Sequence, residues 1–238
     1  MPELVRAELG RAPWRGMHVA LGTNTDPYQW AESRYRLMPG IWEAMRDFSN
    51  PCSVLTKSPL LLRDIALFKE IAAKTEFVAS LSVPTLDEKA WRATEPHTPH
   101  PKTRLAAVGE LNRAGIPTGV LVAPLMPGVN DSPRQVEKIL ELAGDMGATN
   151  VGGIGLHLRG EVKGLFMDWL RQHRPDLVSR YERLYGAGRG AYLPKDERAR
   201  LAKLARGKGP PRRFLRERPP TGGEAEPEPR PPFQPALF

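Results

Sequence analysis

Residues 91–131, WRATEPHTPHPKTRLAAVGELNRAGIPTGVLVAPLMPGVND, spell out one loop–helix–strand unit, and so restrict the chain to folds built from such units. Residues 94–102 predict a loop, because prolines fix φ and push each preceding residue out of the helical region. Leu105, Val108 and Leu111 then recur at helical spacing, with Lys102, Arg104, Glu110 and Arg113 turned away from that face. Gly115 stands where a left-handed residue ends a helix. The apolar run 119–123 predicts a strand buried on both faces, as in a parallel sheet covered by helices. Residues 124–131 close the unit with the turn formers Pro127, Gly128 and Asn130.

The pattern recurs along the chain. Strands are predicted over 18–22, 53–56, 77–83, 120–123 and 151–158. Between them lie helical patterns around 41–48, over 60–73 with Leu61, Ile65, Phe68 and Ile71 on one face, and across Val136, Ile139, Leu140 and Ala143. Strands separated by helices in this way predict parallel βαβ units with right-handed crossovers. The expected fold class is α/β, a partial (β/α) barrel.

Several loops carry a resemblance, in order. GTNTDPYQ (22–29), LTKS (55–58), SLSVPTLDEKAWRATEPHTPHPKTR (80–104), APLMPGVNDS (123–132) and LHLR (156–159) resemble those of radical S-adenosylmethionine proteins. The nearest branch is the spore photoproduct lyase-like, DNA-repair-related group with its actinobacterial relatives, and the similarity covers roughly residues 14–185. The resemblance implies S-adenosylmethionine as cofactor. It also implies a 4Fe–4S cluster held by a CxxxCxxC triplet after the first barrel strand, since such clusters demand thiolate ligands. This chain has 1 cysteine, Cys52, which stands just before a strand and reads as a buried small hydrophobe. The cluster's ligands are therefore absent from the sequence. Residues 2–6 resemble the helix that follows the cluster loop, so the expectation is a barrel lacking its first strand. A misassigned start, a split gene or a degenerate paralogue would each produce this. An upstream cluster-bearing segment is the expected partner, with a reductant such as flavodoxin or ferredoxin. The sheet would then carry an unpaired edge beside 18–22.

Ligands of parallel α/β folds gather at the carboxyl ends of the strands, where all the family-like loops fall. Here the resemblance assigns Thr23, Asn24 and Asp26, in place of the Gly-Gly-Glu of many relatives, to the amino group of S-adenosylmethionine. Lys57 is placed near a carboxylate. Ser80 and Ser82, on one side of their strand by its period of two, are assigned to ribose hydroxyls or the carboxylate. Glu95, with Arg92 or Arg104 as its partner, is either a ligand contact or half of a structural clamp. Pro124, between Ala123 and Leu125, corresponds to an adenine contact, and His157 with Arg159 meets adenine or substrate. His97 and His100 lack a third ligand and make a poor metal site. Asn130 and Asp131 are expected to cap the next helix. If the missing segment were supplied, the resemblance implies reductive cleavage of S-adenosylmethionine to a 5′-deoxyadenosyl radical that abstracts hydrogen from an unidentified substrate. The alternative is a cluster-free remnant that binds S-adenosylmethionine or a protein without catalysis.

Composition sets the remaining bounds. A single cysteine excludes a disulfide framework, and no apolar run approaches the ~20 residues that span a bilayer, so a cytoplasmic protein without membrane partners is expected. One barrel domain with C-terminal helices is expected over 1–194, then a basic helix or linker over 195–209 and a disordered Pro-rich tail over 210–238. Of the net charge of +8, +5 lies in residues 195–238, which hold 11 Lys/Arg and 6 Asp/Glu. A third reading is thus nucleic-acid binding through the basic tail, KLARGKGPPRRFLRER (203–218).

Overall fold

The computed structural model of the chain describes residues 1–186 and 190–206. Helix α1 (Pro2–Leu9) precedes strand β1 (Val19–Leu21), helices α2 (Trp30–Tyr35) and α3 (Leu37–Asp47), and β2 (Cys52–Thr56). A 3-10 turn (Pro59–Asp64) leads into α4 (Ile65–Ala72), then β3 (Phe77–Ser82), α5 (Glu88–Thr94), α6 (Pro101–Arg113) and β4 (Thr118–Leu125). The chain continues through α7 (Pro133–Asp145), β5 (Val151–Gly155), α8 (Val162–His173), α9 (Val178–Tyr185) and α10 (Lys195–Arg206). The proposed Pro-rich tail and most of the basic block lie outside the described residues.

The strands form one parallel sheet in the order β1-β2-β3-β4-β5. With helices following the strands, this is the partial (β/α) barrel expected from the sequence. Register sorts the side chains into two faces. Cys52 lies beside Phe77, and Thr56 beside Leu81 and Val120, on the helix-covered face. There Phe77 stacks on Phe68 at 4.7 Å and both meet the edge of Trp42, which has no exposed surface. On the opposite, concave face, Ala20, Ser53 and Val78 make one row, and Leu55, Ser80 and Gly119 the next.

Two glycines fix the turns of the sheet. Gly115 adopts φ +84° directly after α6, the left-handed geometry that ends a helix. Gly22, with φ +91°, ends β1 so close to β2 that a Cβ there would lie 1.9 Å from the Leu55 carbonyl oxygen.

Three expectations need correction. Residues 94–102 are not all loop: α5, capped by Asp87, runs to Thr94, and α6, capped by His100, begins at Pro101, which leaves 95–100. Arg104 does not face solvent: its side chain is fully buried, because it finds four acceptors inside the protein. Asn130 and Asp131 do not cap α7, whose N-cap residue is Ser132. Asn130 instead accepts from Met126 N and donates to the carbonyls of Pro84 and Pro124, so it ties together the loops after β3 and β4.

The helices after β5 pack in two places. The α8–α9 hairpin crosses the carboxyl ends of the strands, where Trp169 Nε1 donates to Ala93 O at 2.9 Å and Arg174 Nη1 to Gly128 O at 3.0 Å. Helix α10 covers β5 on the helix side, with Leu201 and Ala205 fully buried.

Candidate ligand site at the carboxyl rim

The rim residues expected from the sequence fall into tied and open groups. Asp26 is tied: its carboxylate accepts from Tyr28 N at 2.9 Å, Thr56 Oγ1 at 2.6 Å and Lys57 N at 2.8 Å. It thereby joins the loop after β1 to the end of β2. Its neighbours Thr23 and Asn24 are exposed. Pro124 follows a cis peptide bond, and its carbonyl is held by Asn130. His157 is exposed at the end of β5, its ring 5.5 Å from that of Tyr192.

Lys57, Ser82 and Glu95 come together around Arg104. The guanidinium donates through Nε to Pro99 O at 2.8 Å, through Nη1 to Ser82 O at 2.9 Å, and through Nη2 to Glu95 Oε2 at 2.8 Å and Thr98 Oγ1 at 2.6 Å. Glu95 Oε1 faces Lys57 Nζ at 3.6 Å. Loop 95–100 is thus clipped to the end of β3 by one buried cation. Arg92 pairs with Glu88 rather than with Glu95. His100 also goes to Glu88, at 3.0 Å, and its Nδ1 accepts from Lys102 N, which caps α6. Two arginines were candidates for Glu95, and burial selects Arg104.

Ser80 and Ser82 are buried residues whose hydroxyls make no hydrogen bond to the described residues. Neither oxygen is among the sealed, unpartnered polar atoms, so each opens onto the concave face. Unpaired hydroxyls on this face, together with the Lys57 ammonium and the Glu95 carboxylate, give it donors and acceptors for a polar ligand. Sequence reasoning named Arg104 as a possible partner of Glu95 but turned it to solvent, and it gave Asn130 the wrong role. For Arg104 the signal was present, since its spacing to Val108 and Leu111 puts it on the apolar stripe of α6.

A 4Fe–4S cluster does not fit this constellation. No group of three or more His, Cys, Asp or Glu side chains able to hold a metal ion occurs among the described residues. Cys52 has no exposed surface, and burial pushes its thiol up to about 12. S-adenosylmethionine does fit by donor chemistry: an ammonium, a carboxylate and two free hydroxyls match its carboxylate, amino group and ribose.

No family model matches the sequence. An uncharacterized protein of Mycobacterium tuberculosis is 45% identical over 198 residues, covering 83% of this chain and 58% of that protein. Another, from Acidianus two-tailed virus, is 31% identical over 150 residues, covering 62% of this chain and 48% of its own length. The chain therefore spans only about half of the curated relatives that it matches. A mutant spore photoproduct lyase with bound AdoMet and dinucleoside spore photoproduct superimposes with a TM-score of 0.54 at 18% identity, covering 83% of this chain and 58% of the lyase. A second lyase variant gives 0.52 at 19% identity, covering 86% and 60%. The chain has a radical S-adenosylmethionine-like fold. Within that fold the Arg104 clip and Ser82 lie where β3 ends, with Ser80 two residues before. No helix among the described residues is long and apolar enough to cross a membrane.

Proposed function

We propose that this chain supplies the S-adenosylmethionine-binding wall of a radical S-adenosylmethionine enzyme. The observation that carries the reading is the constellation of Lys57, Glu95 and the unpaired Ser80 and Ser82 hydroxyls at the carboxyl rim of the sheet. In this reading Lys57 meets the ligand carboxylate, the serines meet the ribose or carboxylate, and exposed Thr23 and Asn24 offer acceptors to the amino group. Ala123 and Pro124 flank the adenine, and His157 lies at the far edge. The cytoplasmic location and reductant partner expected from the sequence belong to the same reading.

The cluster-bearing segment would come from outside the residues that this sequence holds and add to the free edge of β1. Two observations support that placement. Among the described residues β1 pairs only with β2, and beside it lies an apolar hollow lined by Leu4, Leu9, Trp14, Val19 and Ile41. Reductive cleavage of S-adenosylmethionine would then be a property of the completed assembly. A second reading is a cluster-free S-adenosylmethionine-binding protein, supported by the burial of Cys52 in the core. Nucleic-acid binding by the basic tail is a separate proposal resting on sequence alone.

Calorimetry on the purified chain tests the shared part: one S-adenosylmethionine should bind per chain, and no binding at millimolar ligand refutes it. The two readings then separate on an in-frame CxxxCxxC upstream of codon one, whose product, joined to this chain under anaerobic reduction, should release 5′-deoxyadenosine. A long upstream tract with no such triplet in any frame favours the cluster-free form.

A further inference from the structure

We infer that the amino half of the concave face is a second binding site, in which His18 and Ser53 read the edge of an uncharged molecule that carries both a hydrogen-bond donor and an acceptor, such as a carboxamide. The inference is independent of S-adenosylmethionine binding at the carboxyl rim.

His18 directly precedes β1 and lies on the same side as Ala20, by the strand period of two. The backbone on either side of it is held. Asn50 Nδ2 donates to Met17 O at 2.9 Å, and Val19 N donates to Pro51 O at 3.0 Å. The imidazole is exposed, and its Nε2 lies 2.9 Å from Ser53 Oγ. Neither side chain has another hydrogen-bond partner among the described residues.

An uncharged imidazole has one N–H and one bare nitrogen, whichever tautomer is present. If Nε2 carries the proton it donates to Ser53, and the pair then presents Nδ1 as acceptor and the serine O–H as donor. If the serine donates to Nε2, the pair presents Nδ1–H as donor and the serine oxygen as acceptor. Both arrangements leave one donor and one acceptor, the complement of a carboxamide. A carboxylate, which only accepts, and an ammonium, which only donates, each match half of it.

The surrounding wall points the same way. Ala20, Leu55, Val78, Gly119 and Leu121 share this face with Ser53, and among the described residues its strands carry no charged side chain before Lys57. Ile154 lies on it too, 50% exposed, because Gly153 and Gly155 on either side of it face α10. Such a wall suits an apolar body and disfavours a desolvated ion. Ala20 is exposed and Gly119 has no side chain, so the face is open above the pair.

Benzamide, benzoate and benzylammonium test this, since they share one ring and differ at the edge that the pair would read. Each is titrated into the full chain at pH 8, where an ordinary imidazole is uncharged, and the His18 ring and Ile154 methyl signals are followed by NMR. Benzamide should shift both, with a Kd at least about tenfold below that of either ion. Ser53→Ala and His18→Phe, followed at Ile154, should each weaken benzamide about tenfold and leave the Kd of S-adenosylmethionine within about twofold. Equal binding of the three probes, or no shift at either residue, overturns the inference. So does a Ser53→Ala chain that melts lower but binds benzamide as before, which would make the pair a strap between β1 and β2. If His18→Phe does not fold, Ser53→Ala decides alone. A chain that binds benzamide but not S-adenosylmethionine refutes the rim reading and leaves this one standing.

Discussion

The Tyr28 hydroxyl donates to Asp64 Oδ2 at 2.7 Å, and so joins the loop after β1 to the turn after β2 inside the core. Trp42 Nε1 donates to the same hydroxyl at 2.7 Å, and Arg63 links Asp64 to Glu32, whose carboxylate in turn accepts from Leu37 N and Met38 N at the start of α3. One phenol therefore stands at the junction of two loops and a helix terminus.

Tyr28→Phe should destabilise the chain by roughly 2–4 kcal/mol, because it leaves both a buried indole N–H and a carboxylate oxygen short of a partner. Urea titration checks this, and a change under about 0.5 kcal/mol, the range of ordinary surface substitutions, would show that the network has no energetic role.

Alkaline pH supplies a separate readout. Burial, and then the Asp64 charge, push the Tyr28 phenol above its usual range, while the unfolded phenol keeps a pKa near ~10. Its contribution is therefore complete below about pH 10 and is lost as pH rises further, because the unfolded state then binds fewer protons. The wild-type stability should fall above about pH 10, more steeply than that of Tyr28→Phe, by up to about 1.4 kcal/mol per pH unit. Parallel slopes would contradict the assignment.

Asn130→Asp should be worse than a simple deletion. The amide donates to two carbonyl oxygens, Pro84 O at 2.9 Å and Pro124 O at 3.0 Å, and a carboxylate would oppose both. A loss of about 3 kcal/mol or more is expected from thermal melts, since two buried acceptors lose their donor and face a charge. Asn130→Asp melting within a degree of wild type would refute the bridge.

The Cys52 thiol, pushed up to about 12 by burial, should resist iodoacetamide at pH 8 in the native chain and react within minutes in denaturant. Mass spectrometry follows the adduct. Rapid native labelling would mean that β2 is open to solvent.

Gly153 governs the docking of α10. A Cβ there would lie 2.3 Å from Ala205 Cβ and 3.1 Å from Leu125 Cδ1. Gly153→Ala should push α10 away from β5 and speed proteolysis within residues 195–206 several-fold, as local opening becomes easier. Unchanged cleavage would show that the helix adjusts without cost.

The strands and most helices were legible because their signal is periodic burial, which each segment carries by itself. Residues 119–123 read as a doubly buried strand, and Val120 and Val122 have no exposed surface. Gly115 marked the end of α6 through a local backbone need. The clip around Arg104 was only half legible: its acceptors come from Ser82, Glu95, Thr98 and Pro99, and a charged residue defaults to solvent until those partners are placed. Asn130 was misread for the same reason, since its hydrogen bond to Pro84 depends on tertiary proximity. The placement of the α8–α9 hairpin was not legible: Leu170 and Tyr181 are buried, but the hydrogen bonds that fix its position go to carbonyls such as Ala93 O and Gly128 O, which any sequence offers.

Among the described residues the sheet keeps its strands in sequence order, so each strand pairs with those nearest to it along the chain. Crossovers between neighbouring parallel strands are right-handed as a rule and do not cross one another. Such an architecture behaves as a stack that grows at its margins: a further strand and helix could be laid against the outer side of β1 without rethreading any existing connection. Addition of whole units is then a mechanically simple route by which such a sheet is lengthened at its margin.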